Sequence, residues 1–197
     1  MNTHRGLAPI AVEVVLTPGL SQIQVLGLAD KVIQESSKRI FTAIQKQGFR
    51  IPPGQQAIVN LSPNHLRKSS QGLDLAVALG ILVESQQISR DLFAKSSIAV
   101  YGELSLTGEV RSPKDIGLLD FENNVPAVFT GVSDDQHSFD RYEVQQLNEI
   151  SSATLRSAQT LGVPLRRPLF ANHLRFSPSM ARLMTILAVG ELSLIHI

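Results

Sequence analysis

Apolar and polar positions alternate along residues 10–16, where Val12, Val14 and Leu16 fall on one side, and this predicts a strand. Thr17-Pro18-Gly19 is turn chemistry. Residues 21–26 alternate again, with Ile23 and Val25 opposite Gln22 and Gln24, so the two runs read as an antiparallel hairpin. The period then changes. Ile33, Ile40 and Ile44 recur at offsets of seven and four, which predicts a helix over about 31–47 with Asp30 as its N-cap. Glu35 and Arg39 stand four apart in the favourable order for a helix-surface pair. Gly48 and then Pro52-Pro53-Gly54 end the helix.

Residues 56–61 read as a short strand, and a polar loop follows from Ser62 to Gly72. Residues 73–85 are almost wholly apolar and rich in Ala and Leu, which predicts a buried helix; the β-branched Val77, Ile81 and Val83 pull toward a strand instead. Ile98 and Val100 mark another strand. Leu104 and Leu106 mark its partner or continuation, with a turn at Thr107-Gly108. Residues 125–130 form a further short strand, weakened by Pro126. Helices are predicted at about 152–161 and at 179–190, the latter with Met180, Leu183, Met184 and Leu187 as one stripe. Between them Pro164, Pro168 and Pro178 with Arg166-Arg167 give residues 162–178 a linker composition.

Composition narrows the function classes. The chain has 197 residues, 43% of them apolar, enough for one domain with a real core and a further fragment. Cysteine is absent, which excludes disulfides, iron–sulfur clusters, thiolate zinc sites and a cysteine nucleophile. No apolar run reaches the ~18 residues of a membrane helix, and the first residues lack a signal-peptide stretch, so a cytoplasmic location without membrane partners is expected. The net charge is +1, yet residues 115–150 hold eight acids and one arginine. Their spacing is not that of a calcium loop, and an acidic surface segment is expected. His4, His65, His137, His173 and His196 are scattered without metal-ligand spacing.

Four segments taken together resemble one family. They are Val25-Leu26-Gly27-Leu28-Ala29-Asp30, Val59-Asn60-Leu61-Ser62-Pro63, Leu66-Arg67-Lys68 with Asp74 to Leu82, and Gly102-Glu103-Leu104-Ser105-Leu106-Thr107-Gly108-Glu109. In order and spacing they resemble the N-terminal domain of the ComM/YifB group of magnesium-chelatase-like AAA+ ATPases, over roughly residues 9–112. The resemblance implies an α+β fold, a mixed sheet with helices packed on it, like domain 2 of ribosomal protein S5 and the Lon protease domain. It divides the chain into an N-terminal domain (1–161), a linker (162–178) and the first helix of an AAA+ module (179–191). Residues 192–197 match, in frame, the translation of a sequencing adapter and are expected to be foreign to the protein, the alternative being a genuine apolar strand leading toward a phosphate-binding loop.

The resemblance also implies a parent that binds ATP and Mg²⁺, forms a homo-hexameric ring and processes DNA in competence or recombination. This chain supplies no such site by itself. A phosphate-binding loop needs Gly-x-x-x-x-Gly-Lys-Ser/Thr, and there is no Gly-Lys pair here. The expectation is therefore a domain without catalytic, cofactor or metal residues, dependent on its own AAA+ module, with DNA as a candidate partner. Lon kinship raises the alternative of a peptidase. Its serine position falls near Gly72-Leu73-Asp74 and its lysine position near Leu119, with Ser69, Ser70 and Lys114 displaced from the pattern. A stand-alone nucleic-acid module is the other alternative, disfavoured by scarce aromatics: no Trp and two Tyr.

Individual residues carry smaller expectations. Arg67 and Lys68 are candidate phosphate or partner contacts, weighed against solvated loop charge. Gly27, Asp30, Asn60, Pro63, Asp74, Gly102, Glu103 and Gly108 are structural motif positions. Asp74 reads as a first-turn carboxylate held by the helix dipole, or else as half of a buried pair with Arg67 or Lys68. Glu103 reads as an acceptor of backbone N–H groups or a partner for an arginine.

Overall fold

A computed structural model describes residues 7–26, 31–62, 71–89, 99–114, 116, 128–133, 141–150 and 184–191. Its strands are β1 (Leu7–Pro18), β2 (Ile23–Leu26), β3 (Gln55–Ser62), β4 (Ala99–Val100), β5 (Glu103–Leu104), β6 (Val110–Arg111), β7 (Val128–Gly131), β8 (Arg141–Val144) and β9 (Met184–Glu191). Its helices are α1 (Lys31–Lys46) and α2 (Asp74–Glu84). Seven strands form one mixed sheet in the order β2-β3-β1-β9-β4-β7-β8, and β5 pairs with β6 as a separate hairpin. Helix and sheet both contribute to one layered α+β domain.

The alternation in β1 and β3 carries the core. Ile10, Val12 and Val14 of β1 and Ala57, Val59 and Leu61 of β3 are buried, and the two strands run antiparallel with Val14 opposite Val59. Ile40, Ala43 and Ile44 of α1 join the same core. Every residue from Asp74 to Val83 is buried, so α2 is enclosed on all sides. A helix without a polar face can exist only inside, and the Ala and Leu content of residues 73–85 reflects this.

The expected hairpin of residues 10–16 with 21–26 does not form. β3 lies between the two strands, pairing antiparallel with β1 and parallel with β2. The physical reason is α1. A parallel pair needs a long crossover, and the helix between β2 and β3 supplies it. The short β1–β2 connection is tied to the start of β3 through Gly19 N–H to the Gly54 carbonyl (2.9 Å) and Ala57 N–H to the Gln22 carbonyl (2.9 Å).

A second expectation is overturned at the C-terminal end. Residues 184–190, predicted to be helical, form β9, which pairs antiparallel with β1 and parallel with β4. An apolar run of this length satisfies either period, and two open strand edges offer a complete ladder. Residues 141–144, read as part of an acidic surface segment, form β8 at the sheet's edge, with Tyr142 opposite Phe129. The helix predicted at 152–161 and the linker at 162–178 lie outside the described residues.

The β5–β6 hairpin packs its backbone onto β7. A Cβ at Gly131 would stand 2.6 Å from backbone atoms of Val110, Arg111 and Ser112. Neither side can yield cheaply, because both are backbone. Gly131→Ala is expected to lower stability by about 1–3 kcal/mol, read as a shifted denaturant midpoint with an unchanged slope. Wild-type stability in that variant would show that the hairpin does not rest on β7.

Candidate functional site

The most concentrated polar chemistry among the described residues stands at the first turn of α2. Asp74 is 1% exposed, in a helix otherwise made of apolar residues. Arg39 reaches it from α1: Nε donates to Oδ2 at 2.8 Å and Nη2 stands 2.7 Å from the same oxygen. Arg39 Nη2 also donates to Ser36 Oγ at 2.6 Å, and the Ser36 hydroxyl bonds the carboxylate in turn. The backbone N–H of Leu104, in β5, approaches Oδ2 at 3.4 Å. One carboxylate thus joins α1, α2 and the β5–β6 hairpin.

Burial and pairing act on Asp74 in opposite directions. Loss of water raises its pKa, while the Arg39 charge and the hydrogen bonds from Arg39, Ser36 and Leu104 lower it. Burial wins, and the carboxyl stands at about 6 against an ordinary 3.8. The folded state therefore holds this proton more tightly than the unfolded chain does. The stability Asp74 contributes is complete below pH ~4 and is lost as pH rises through about 6. Relative to Asp74→Asn, which cannot titrate, the wild type is expected to lose up to about 3 kcal/mol between pH 4 and pH 7. Urea unfolding across that range measures it, and two parallel profiles would contradict the assignment.

The segment before Asp74 is held with equal closeness. Gly102 donates its N–H to the Gly72 carbonyl (2.8 Å) and accepts from Leu75 N–H (3.0 Å). A Cβ at Gly72 would meet the buried Tyr101 ring at 2.2 Å, and one at Gly102 would meet the Leu75 side chain at 2.8 Å. Both glycines permit close approach rather than an unusual turn.

Gly108 is different, with φ +87° in the β5–β6 turn, where a side chain is strained. Its carbonyl accepts from Leu147 N–H at 2.9 Å. Gln47, at the end of α1, closes this corner. Its Nε2 donates to the Thr107 carbonyl (2.6 Å) and to Gln146 Oε1 (3.0 Å), and its Oε1 accepts from Asn148 N–H (3.3 Å).

The remaining expected positions divide. Asn60 donates to Glu13 Oε2 across the β1–β3 pair at 2.7 Å, a sheet contact on the face away from the core. Glu103 stands opposite Arg111 in the register of the hairpin, and the Arg111 guanidinium bonds Glu109 at 2.8 Å. Gly27, Asp30, Pro63, Arg67, Lys68, Ser69, Ser70 and Leu119 lie outside the described residues. Lys114 is exposed.

Asp74 is a buried pair, one of its two readings, but its partner is Arg39 on α1, which sequence spacing assigned to Glu35. One signal was available. Ser36 falls on the apolar stripe between Ile33 and Ile40, so a polar group was already due to face the core.

A carboxylate with its acceptor sites taken by a guanidinium, a hydroxyl and an amide is built to hold elements together. It has no open face for substrate. Among the described residues no group of three or more His, Asp or Glu could hold a metal ion, and no helix is long and apolar enough to cross a membrane.

The family described as subunit ChlI of Mg-chelatase matches residues 12–120. The chain is 32% identical to the uncharacterized protein YifB of Escherichia coli over 103 residues, 52% of this chain and 20% of that protein. It is 32% identical to competence protein ComM of Haemophilus influenzae over 102 residues, 52% of this chain and 19% of that protein. An uncharacterized protein of Mycobacterium tuberculosis is 31% identical over 107 residues, 54% of this chain and 21% of that one. The matched region spans about a fifth of the length of these relatives. It contains β1 from Val12 onward, β2 to β6, both helices and the Arg39–Asp74 pair.

Proposed function

We infer a function from one premise: this chain belongs to the ChlI family of Mg-chelatase, in the ComM/YifB group. It acts as a non-catalytic N-terminal domain of a ring-forming AAA+ ATPase that processes DNA, of the kind that moves branched junctions in recombination. ATP and Mg²⁺ are handled by the AAA+ module, and the hexameric ring is built through that module. The S5-like arrangement, shared with Lon-type domains, is the scaffold this reading assigns to residues 1–161. Arg67 and Lys68 remain candidate contacts to phosphate on this reading.

One observation carries it. The start of α2, where a Lon-like enzyme would place its nucleophile, is filled by a buried Asp74 committed to Arg39, Ser36 and Leu104. That arrangement stabilises a junction of three elements and presents no nucleophile. The name of the Haemophilus relative, a competence protein, supports the DNA-processing part of the reading.

ATP hydrolysis tests it, measured for residues 1–197 and for a longer protein of the same reading frame, with and without a four-way DNA junction. The chain alone should give no turnover and no cleavage of labelled casein. The longer protein should hydrolyse ATP faster when the junction is added. Casein cleavage by the chain, or ATP turnover indifferent to DNA, would overturn the reading.

A further inference from the structure

We propose that the outer edge of β2 is a strand-addition site for an extended peptide carrying an acidic side chain. β2 is the terminal strand of the seven-stranded sheet. Gln22 directs its carbonyl inward, to Ala57 N–H of β3. Backbone groups of alternate residues in a strand point the same way, so Gln22 and Gln24 face β3 while Ile23 and Val25 turn their N–H and C=O groups outward. No strand of the described sheet takes them up.

A paired edge and an unpaired one are built differently. Natural sheets guard free edges with charge, proline, a bulge or an inward-pointing lysine. The opposite edge, β8, carries Arg141 and Glu143. From Gly19 to Leu26 there is no charged residue and no proline, and Leu20 is 80% exposed. β2 therefore keeps a template that the other edge suppresses.

The edge also borders a groove of about 610 Å³ between β2 and α1. It is lined by Ile23 and Val25 from the strand and by Ser37, Lys38, Phe41 and Thr42 from the helix. This is the form a strand-addition site takes: backbone hydrogen bonds give affinity, and an adjoining groove sorts alternate side chains. Phe41 gives an apolar wall. Lys38 is exposed and, among the described residues, makes no side-chain ion pair or hydrogen bond. Among the described residues it is the one cation lining the groove, and it selects an Asp or Glu in the added strand.

The test uses residues 1–197 and two fluorescein-labelled nine-residue peptides that alternate valine and threonine, one with glutamate at its centre and one with lysine. Fluorescence anisotropy at low salt should show the glutamate peptide binding about tenfold more tightly than the lysine peptide. Lys38→Glu, an exposed change, should reverse that preference. Val25→Pro removes an outward donor without removing a bond to β3, and should abolish binding of both peptides. A glutamate peptide N-methylated at alternate amides should also fail to bind, independently of any variant's folding. Binding of neither peptide, or equal binding of both by wild type and by Lys38→Glu, would overturn the proposal. Concentration-dependent self-association that Val25→Pro abolishes would overturn it too, by giving the edge to a second copy of the chain.

Discussion

Arg39→Met is expected to destabilise the domain by about 3 kcal/mol at pH 8, which is a large share of the 5–15 kcal/mol that holds an ordinary domain together. The change leaves Asp74, 1% exposed, without its cation. A buried carboxylate that loses its partner is far costlier than the pair was favourable, because burial penalises the charge and only Ser36 and Leu104 remain to offset it. The loss has a ceiling, since the carboxyl can take a proton and become neutral. It should therefore shrink as pH falls from 8 toward about 6, because without Arg39 the buried carboxyl takes up its proton at a higher pH than in the wild type, and it should level off below about 6, where Asp74 is protonated in both. Arg39→Met combined with Asp74→Leu removes both charges and should recover most of the loss. Equal losses in the single and double variants would show that packing, not charge, is what Arg39 contributes.

This pair also marks how far the sequence could be read. That residues 73–85 are buried follows from their composition, because a run with no polar face has only the interior to occupy; that they form a helix rests on their Ala and Leu content against the strand preference of Val77, Ile81 and Val83. That Asp74 enters this helix is visible as well, and so is the need for a partner. Which partner is not visible. Arg39 lies 35 residues away, and the sheet between them decides whether α1 and α2 come close enough. Local spacing points Arg39 at Glu35, since four residues on a helix are always neighbours; contact across the fold has no such signature.

The strands divide in the same manner. β1 and β3 alternate cleanly, because one face meets the core and the other does not, and both are legible. The partner of β2 is not, because the crossover through α1 competes with the shorter hairpin. β7 is buried at every position and so lacks the alternation that announces a half-exposed strand, while β8 alternates over only four residues inside an acidic stretch, too few to mark a strand. β9 is the clearest case. Its eight residues carry a helical stripe and an apolar run at once, and only the gap between β1 and β4 resolves the two readings.

Leu187→Pro is expected to unfold the domain or to lower its stability by about 3 kcal/mol or more. Leu187 is paired with Ala11 of β1 on one side and with Ala99 of β4 on the other. A proline there removes a donor from a strand bonded on both edges, where the ladder has no slack. The effect should appear in global urea unfolding, together with a loss of the parallel half of the sheet. If residues 184–190 were instead a helix standing apart from the sheet, the same change would reduce helical circular dichroism and leave the unfolding midpoint where it was.

On the function proposed above, Arg39 and Asp74 hold the domain together and take no part in chemistry. That role is tested most directly by DNA-stimulated ATP turnover of the longer protein carrying Arg39→Met with Asp74→Leu. The pair's structural role predicts turnover and DNA stimulation close to wild type, because both charges are gone and the junction of α1, α2 and β5 is kept by apolar packing. A folded double variant that has lost ATP turnover or its response to DNA would contradict the account and place the pair in the working machinery.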